Sequence, residues 1–310
     1  MNTPASAAAP TTPRRGRFAP SPTGPLHAGS LLAALGSWLL ARAAGGEWLV
    51  RIEDLDPPRE LAGTATAHLQ ALAAFGLSSD QPVLWQSGRD QAYRAALEQL
   101  LADGSAFHCH CSRADLASRG GIHRRCVSGA IRKDPSVRLR VPDGTIVAFE
   151  DAIQGPFSQD VAREVGDFVL RRADGWWAYQ FAVVVDDGAQ GISDVARGAD
   201  LLDSTPRQML LQAALGLPTP AYAHLSLLVD RDGRKLAKSL AALPVDPAQP
   251  LPVLAALWGA LGQERHALAA ARSTPELLHA ALKSFDPAAI PRGPLSFPAA
   301  SHNTDGASHA

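Results

Sequence analysis

Apolar residues fall along this chain in blocks of two different periods. Residues 16–19 (GRFA) predict a first strand. A loop crowded with Pro20, Pro22, Gly24 and Pro25 follows, and then an apolar run of helical period over about residues 30–44. Gly45 and Gly46 end that helix, and EWLVRI at residues 47–52 predicts a second strand. Helical patterns return near residues 60–75 and 91–102. Strand, helix, strand, helix at this spacing predicts an α/β architecture built on a parallel, doubly wound sheet.

The pattern breaks between Cys109 and Phe157, where short strand candidates (residues 137–141 and 145–149) interrupt a segment rich in Gly, Arg and Cys. That stretch predicts an insertion. Strand patterns resume at residues 167–171 and at 176–185, where the run WWAYQFAVVV suits a buried strand. A helix start follows, with Thr205 as cap, Pro206 at the first helical position and Gln208 completing a capping box. LPVLAALWGAL and TPELLHAAL predict two late helices. The expected division is a disordered N-terminus (1–14), a first half of the sheet domain (15–105), the insertion (106–160), a second half (161–215), a helical region (216–286) and a frayed tail (287–310). No internal repeat is present.

Composition narrows this only slightly. With 310 residues, 46% hydrophobic and 19% charged, the chain can bury a full core. A net charge of −1 excludes a generally polybasic protein but not a local basic face. The first residues carry no apolar core of a secretory signal, and no stretch reaches the roughly 18 apolar residues of a membrane span, so the cytoplasm is the expected location. Cys109, Cys111 and Cys126 are the only cysteines, an odd and clustered count that fits a metal cluster in a reducing compartment better than a disulfide framework.

Two segments carry candidate chemistry. A loop between a first parallel strand and its helix sits at the carboxyl edge of the sheet, where such folds bind ligands. Helix-start amides near Gly29 and Ser30 favour an anion, and His27 beside them can donate to a phosphate or ribose. Late in the chain, LLVDRDGRKLAKSL puts Lys235 and Lys238 on a loop with Ser239, two ammonium groups able to follow charge on a transferring phosphate. Alone, the first segment fits an ordinary turn and the second a solvated loop.

Taken together, HAGS (residues 27–30) and KLAKS (residues 235–239) resemble the HIGH and KMSKS signatures of class I aminoacyl-tRNA synthetases, which are built on a Rossmann core. RFAPSPTGPLHAGS, RIEDLDPPR, WWAYQFAVVVDD and ISDVARGADLLDSTPRQ resemble the glutamyl branch of that family. The resemblance covers residues 17–240. It implies that Arg17, Phe18, Ala19, Pro20 and Ser21 border an L-glutamate pocket, with Glu53 on the α-ammonium and Tyr179 and Arg197 completing it. Either Arg17 or Arg197 is left to meet the side-chain carboxylate. His27 and Lys238 would serve catalysis on ATP and its Mg2+, with Gly29, Ser30, Lys235 and Ser239 beside them; no protein nucleophile is needed. Ser30 replaces the second histidine of the signature, and Ala237 replaces a serine of the lysine loop.

Only 71 residues follow Ser239, which leaves no room for the anticodon-binding domain of a full glutamyl-tRNA synthetase. In this the chain resembles the glutamyl-queuosine tRNA(Asp) synthetases, which activate glutamate without tRNA and pass it to the queuosine base of the tRNA(Asp) anticodon. The same resemblance implies one structural zinc on Cys109, Cys111, His123 and Cys126. Relatives carry a tyrosine where His123 stands and three residues, not two, before the last cysteine. Six Arg and Lys against one acid between Arg113 and Lys133 fit tRNA phosphates, or equally a solvated surface. The expected working unit is a monomer. The alternatives are a truncated synthetase charging the tRNA 3′ end and a non-catalytic paralogue that binds RNA.

Overall fold

The proline-rich loop joins strand β1 (Arg15–Phe18) to helix α1 (Ala28–Ala43), and β2 (Glu47–Ile52) lies parallel to β1 with Arg17 opposite Leu49. These and the following features come from a computed structural model, in which the described residues are 13–229, 245–293 and 295–296. The lysine segment with Lys235, Lys238 and Ser239 lies outside them, as do residues 1–12. Helix α2 (Thr64–Ala74), strand β3 (Leu84–Trp85) and helix α3 (Asp90–Ala102) complete the first half. The next segment holds β4 (Ala106–Cys109), α4 (Arg113–Leu116), β5 (Ser136–Leu139), β6 (Ile146–Asp151), β7 (Gly155–Asp160), α5 (Val161–Glu164) and β8 (Val169–Arg171). Then come α6 (Tyr179–Ala189), β9 (Asp194–Gly198), α7 (Thr205–Leu215), β10 (Ala221–Leu225), β11 (Leu228–Val229), α8 (Pro250–Ala260), α9 (Thr274–Ser284) and β12 (Leu295–Ser296).

The central sheet runs β10-β9-β1-β2-β3 and its pairings are parallel. The order reverses between β1 and β9, which opens a crevice at the carboxyl ends of those two strands. Helix α1 lies close over this point. A Cβ on Gly36 would stand 2.6 Å from Leu225 Cδ1, so a larger residue there would force the Leu225 side chain or α1 to shift. One core packs α1 against α8 and α9 through Leu35, Leu39, Trp48, Leu257 and Trp258. A second gathers Tyr93, Leu97, Trp177, Phe181 and Val184 between α3, α6 and the inserted sheet. No described helix is long and apolar enough to cross a membrane.

Several expectations need correction. WWAYQFAVVV is not a strand: α6 starts at Tyr179, and only the Arg171–Trp177 bridge is extended. A continuous apolar run suits a buried helix as well as a buried strand, and here packing outweighs the β preference of three valines. Helical geometry lets adjacent Asp186 and Asp187 serve different partners, Gln86, Arg89 and Tyr93 for the first, Arg17 and Arg51 for the second. Strand β8 does not rejoin the central sheet; it pairs antiparallel with β5 beside β4, while β6 and β7 form a separate hairpin.

The expected capping box at α7 is absent as well. Ser204 occupies the cap position without a side-chain cap bond, and Thr205 and Gln208 turn their side chains to Arg197. The tail expected to fray is anchored in part: Ile290 is buried, Ser226 Oγ donates to the Pro291 carbonyl at 2.6 Å, and β12 pairs with β11.

Candidate functional site

The loop after β1 is fixed at three points. The Glu53 amide donates to the Pro20 carbonyl, the Leu61 amide to the Pro22 carbonyl, and His68 Nε2 donates to the Gly24 carbonyl at 2.7 Å. Proline stiffening and these bonds hold the loop open along the carboxyl edge of the sheet, so ordering it around a ligand costs little entropy. The cavity beneath it encloses about 610 Å³. Residues 17–21, His27, Gly29, Ser30, Glu53, Tyr179 and Arg197 all line it. Every described residue expected at the glutamate or ATP site therefore faces one space; Lys235, Lys238 and Ser239 lie outside the described residues.

His27 is the cap residue of α1, two positions earlier than the hydrophobic pattern predicts. Its Nδ1 accepts the Ser30 amide at 3.2 Å, so that nitrogen carries a lone pair and the proton of the neutral ring sits on Nε2, 3.1 Å from Ser30 Oγ. The Ser30 amide is thus occupied. A Cβ on Gly29 would stand 3.2 Å from the imidazole, so a larger residue there would push His27 aside by a few tenths of an ångström.

Four buried charged groups form one network, of which Arg17 and Glu53 line the cavity. Asp187 accepts from Arg17 at 3.1 and 3.4 Å and from Arg51 at 2.8 Å, and Arg51 reaches Glu53 at 3.4 Å. Two guanidinium groups and two carboxylates balance in a space from which water is largely excluded. Burial pushes the Glu53 carboxyl up, against the pull of Arg51 and Arg17; Asp187, despite burial, is held below the ordinary range by the same two arginines. Arg17 also donates to the Ala196 carbonyl, which leaves one N–H on each of its terminal nitrogens.

Arg197 is held differently. Its acceptors are His224 Nε2 at 3.0 Å, Gln208 Oε1 at 2.7 Å, Thr205 Oγ1 at 2.8 Å and the Leu201 carbonyl at 3.3 Å, all of them neutral. Among the described residues, one N–H remains on Nη1. The tyrosine expected with it, Tyr179, stands at the start of α6 and also lines a second cavity of about 1000 Å³. That cavity meets the first at Ala19, Ser21, Thr23, Glu53 and Leu201, and Arg59, Arg113, Arg132, Arg138 and Arg172 line its walls. Of the basic run between Arg113 and Lys133, Arg113 and Arg132 face this space, whereas Arg124 is paired with Asp143.

The Cys/His cluster assembles despite its altered spacing. The ligand atoms of Cys109, Cys111, His123 and Cys126 all lie within 4.8 Å of one another, and Cys109 Sγ is 3.3 Å from His123 Nε2. Ligands on a tetrahedral ion with bonds of about 2.0–2.3 Å stand roughly 3.5–3.8 Å apart, so modest closure would let these four hold a metal ion. Asp167 Oδ2 lies 2.8 Å from His123 Nδ1 and fixes which nitrogen faces the sulfurs. Backbone amides, chiefly that of Val127, hold the Cys111 thiol below its ordinary value in spite of burial, whereas burial and the neighbouring Cys109 push Cys126 up to about 11. His110 stands outside this group of four, and its Nδ1 accepts the Arg132 amide.

Sequence reasoning missed Arg51, His68, Asp151, Asp187 and His224. The available signal was a charged or imidazole residue inside an apolar strand, Arg51 in EWLVRI and His224 in AYAHL. Such a residue is buried only with a partner, and its partner has to come from elsewhere in the fold.

Known proteins resemble this chain over most of its length. Residues 14–248 match the family model "tRNA synthetases class I (E and Q), catalytic domain". The chain is 63% identical over 283 residues to a Glutamyl-Q tRNA(Asp) synthetase of Xanthomonas axonopodis pv. citri, covering 91% of this chain and 94% of that protein. It is 55% identical over 261 residues to one from Burkholderia cenocepacia, covering 80% and 88%. Among solved structures, a glutamate tRNA ligase from Elizabethkingia meningosepticum in complex with its amino acid superposes with a TM-score of 0.76 at 27% identity, over 93% of this chain and 67% of that one.

Proposed function

The chain belongs to the class I tRNA synthetases of the glutamate and glutamine type, and on that premise we propose that it works as a glutamyl-Q tRNA(Asp) synthetase. It is a ligase: it activates L-glutamate with ATP to glutamyl-adenylate and transfers the glutamyl group to the queuosine base in the anticodon of tRNA(Asp). The observation that carries the site assignment is the convergence of His27, Glu53, Arg17, Tyr179 and Arg197 on one cavity at the point where strand order reverses.

Glutamate lies with its α-ammonium against Glu53, whose buried carboxyl is drawn toward the charged form by the incoming cation. Arg17 meets the side-chain carboxylate. Asp187 holds that guanidinium edge-on, so the two terminal N–H groups form an end-on fork matched to a carboxylate. Arg197 adds its remaining N–H, and Tyr179 borders the same space. ATP enters from the His27 side as its magnesium complex. The substrate carboxylate attacks the α-phosphorus, pyrophosphate leaves, and the oxygen charge that develops is met by the His27 Nε2–H and by Lys238. The chain supplies alignment and charge, not a nucleophile.

The arginine-lined second cavity receives the anticodon loop. An extruded base there faces the adenylate across Tyr179 and Glu53, and Arg113, Arg132 and Arg172 meet phosphates. The Cys109, Cys111, His123 and Cys126 cluster holds one zinc ion as a closed structural site, because its four protein ligands leave no open position. We place the reaction in the cytoplasm, with a single chain as the working unit.

Glutamate-dependent exchange of pyrophosphate into ATP tests the first half of this reading. Exchange with glutamate, without any tRNA and not with glutamine, supports it; exchange that requires tRNA, or none at all, contradicts it.

A further inference from the structure

His224 stands directly opposite Arg197 in the parallel β9–β10 register, and Arg197 Nε donates to its Nε2 at 3.0 Å. A ring nitrogen that accepts a hydrogen bond carries no proton, so the proton of the neutral imidazole is on Nδ1. That Nδ1 faces Asp151 Oδ2 at the end of β6. The other oxygen of Asp151 accepts the backbone amides of His224, Ile153 and Gln154 at 2.9–3.0 Å, which fixes the carboxylate from three sides. Both side chains are wholly removed from solvent, and neither lines the glutamate cavity. Tyr222 stacks on the imidazole with ring centroids 6.2 Å apart, and its ring also supports the Arg197 guanidinium.

The two arginines of the site are thus held by opposite devices. Arg17 touches the carboxylate of Asp187 directly, whereas an imidazole separates Arg197 from the charge of Asp151. A direct ion pair would orient Arg197 and also neutralise it. A neutral acceptor orients it and leaves its charge to a ligand.

We propose that His224, locked as its Nδ1–H tautomer by Asp151, is a positioning residue for the amino-acid substrate: it sets the roll of the Arg197 guanidinium, so that the one unoccupied Nη1–H meets the substrate carboxylate while the charge stays unpaired. The proposal rests on Arg197 binding glutamate, as put forward above. Asp151 belongs to the inserted hairpin, so the insertion reaches the amino-acid pocket through this contact.

Two near-isosteres separate the contact from mere packing. His224→Gln puts an amide acceptor near the position of Nε2, whereas His224→Asn keeps a polar group near Nδ1 and leaves Arg197 Nε without its acceptor. In pyrophosphate exchange, His224→Asn is expected to raise the glutamate KM about tenfold or more with the ATP KM within about twofold, and His224→Gln to restore most of the loss. Equal glutamate KM values for the two variants, or matching rises for both substrates, overturn the proposal.

Because a buried variant can fail to fold, 15N spectra of the histidine rings in the unaltered chain give a second readout. A neutral His224 protonated on Nδ1 is expected; protonation on Nε2, or a doubly protonated ring, at neutral pH overturns the proposal. Arg197→Gln tells the two failures apart. An unchanged glutamate KM in that variant removes the role of Arg197 and the proposal with it, while a raised value alongside an unmoved His224→Asn removes the positioning role alone.

Discussion

Under the proposed assignment of Arg17 to the glutamate side chain, replacing it by lysine keeps the charge of the pocket and removes its fork. Of the five N–H groups of Arg17, three are occupied, by Asp187 Oδ1 at 3.1 Å, Asp187 Oδ2 at 3.4 Å and the Ala196 carbonyl at 3.4 Å. Among the described residues nothing else takes the other two, which remain for a ligand. A lysine ammonium has three donors on one nitrogen and cannot hold Asp187 edge-on while meeting a second carboxylate end-on. Lysine therefore keeps at most one of the two ligand bonds. A hydrogen bond to a charged group contributes about 1.5–3 kcal/mol. At about 1.4 kcal/mol per factor of ten, losing one raises the glutamate KM about 10- to 150-fold. The proposed ATP contacts on the His27 side are untouched, so the ATP KM is expected to stay within about twofold. The assay is pyrophosphate exchange with the two substrates varied separately, and a thermal melt checks that the variant folds. A glutamate KM within about twofold of the unaltered chain, or equal rises for both substrates, refutes the reasoning.

Three further outcomes follow from the same geometry. Protein prepared without chelator is expected to carry about one zinc per chain by elemental mass spectrometry, and Cys126→Ser to lose most of it and melt at a lower temperature; a near-zero ratio in the unaltered chain contradicts the four-ligand site. Lys238→Ala is expected to slow adenylate formation in single-turnover experiments far more than it weakens glutamate binding, and equal losses would contradict a role on the phosphates. Burial lowers the His224 pKa in the folded chain, so the unfolded chain binds more protons just below the ordinary imidazole value. Stability is therefore fully present above about pH 6.5 and declines as pH falls toward the folded value. Melting temperatures that decline less over that range in His224→Gln than in the unaltered chain would support this assignment; parallel declines would contradict it.

The sequence exposed those parts of the site that depend on local chemistry. β2 has the bounds its pattern predicts, and the prolines before His27 mark the loop because they set backbone angles wherever they stand. The clustering of the three cysteines was legible from the sequence and the resemblance added His123; the four side chains converge to within 4.8 Å even with one residue missing, since a loop can absorb that change. What escaped depends on tertiary contact. The α6 run carries three valines and reads as a strand until α3 and the inserted sheet bury it. Thr205 and Gln208 have the types and spacing of a helix cap, yet the buried Arg197 guanidinium takes both side chains. Asp151 lies 73 positions from His224, and no local pattern announces that pair.

The most direct test follows the glutamyl group to its acceptor. The chain is incubated with ATP, labelled glutamate and tRNA(Asp), with or without queuosine, and the tRNA is then cut with a nuclease. Label is expected only when queuosine is present, and only on the fragment containing the anticodon loop. Label on the 3′-terminal adenosine, or equal labelling of tRNA that lacks queuosine, would contradict the proposed transfer.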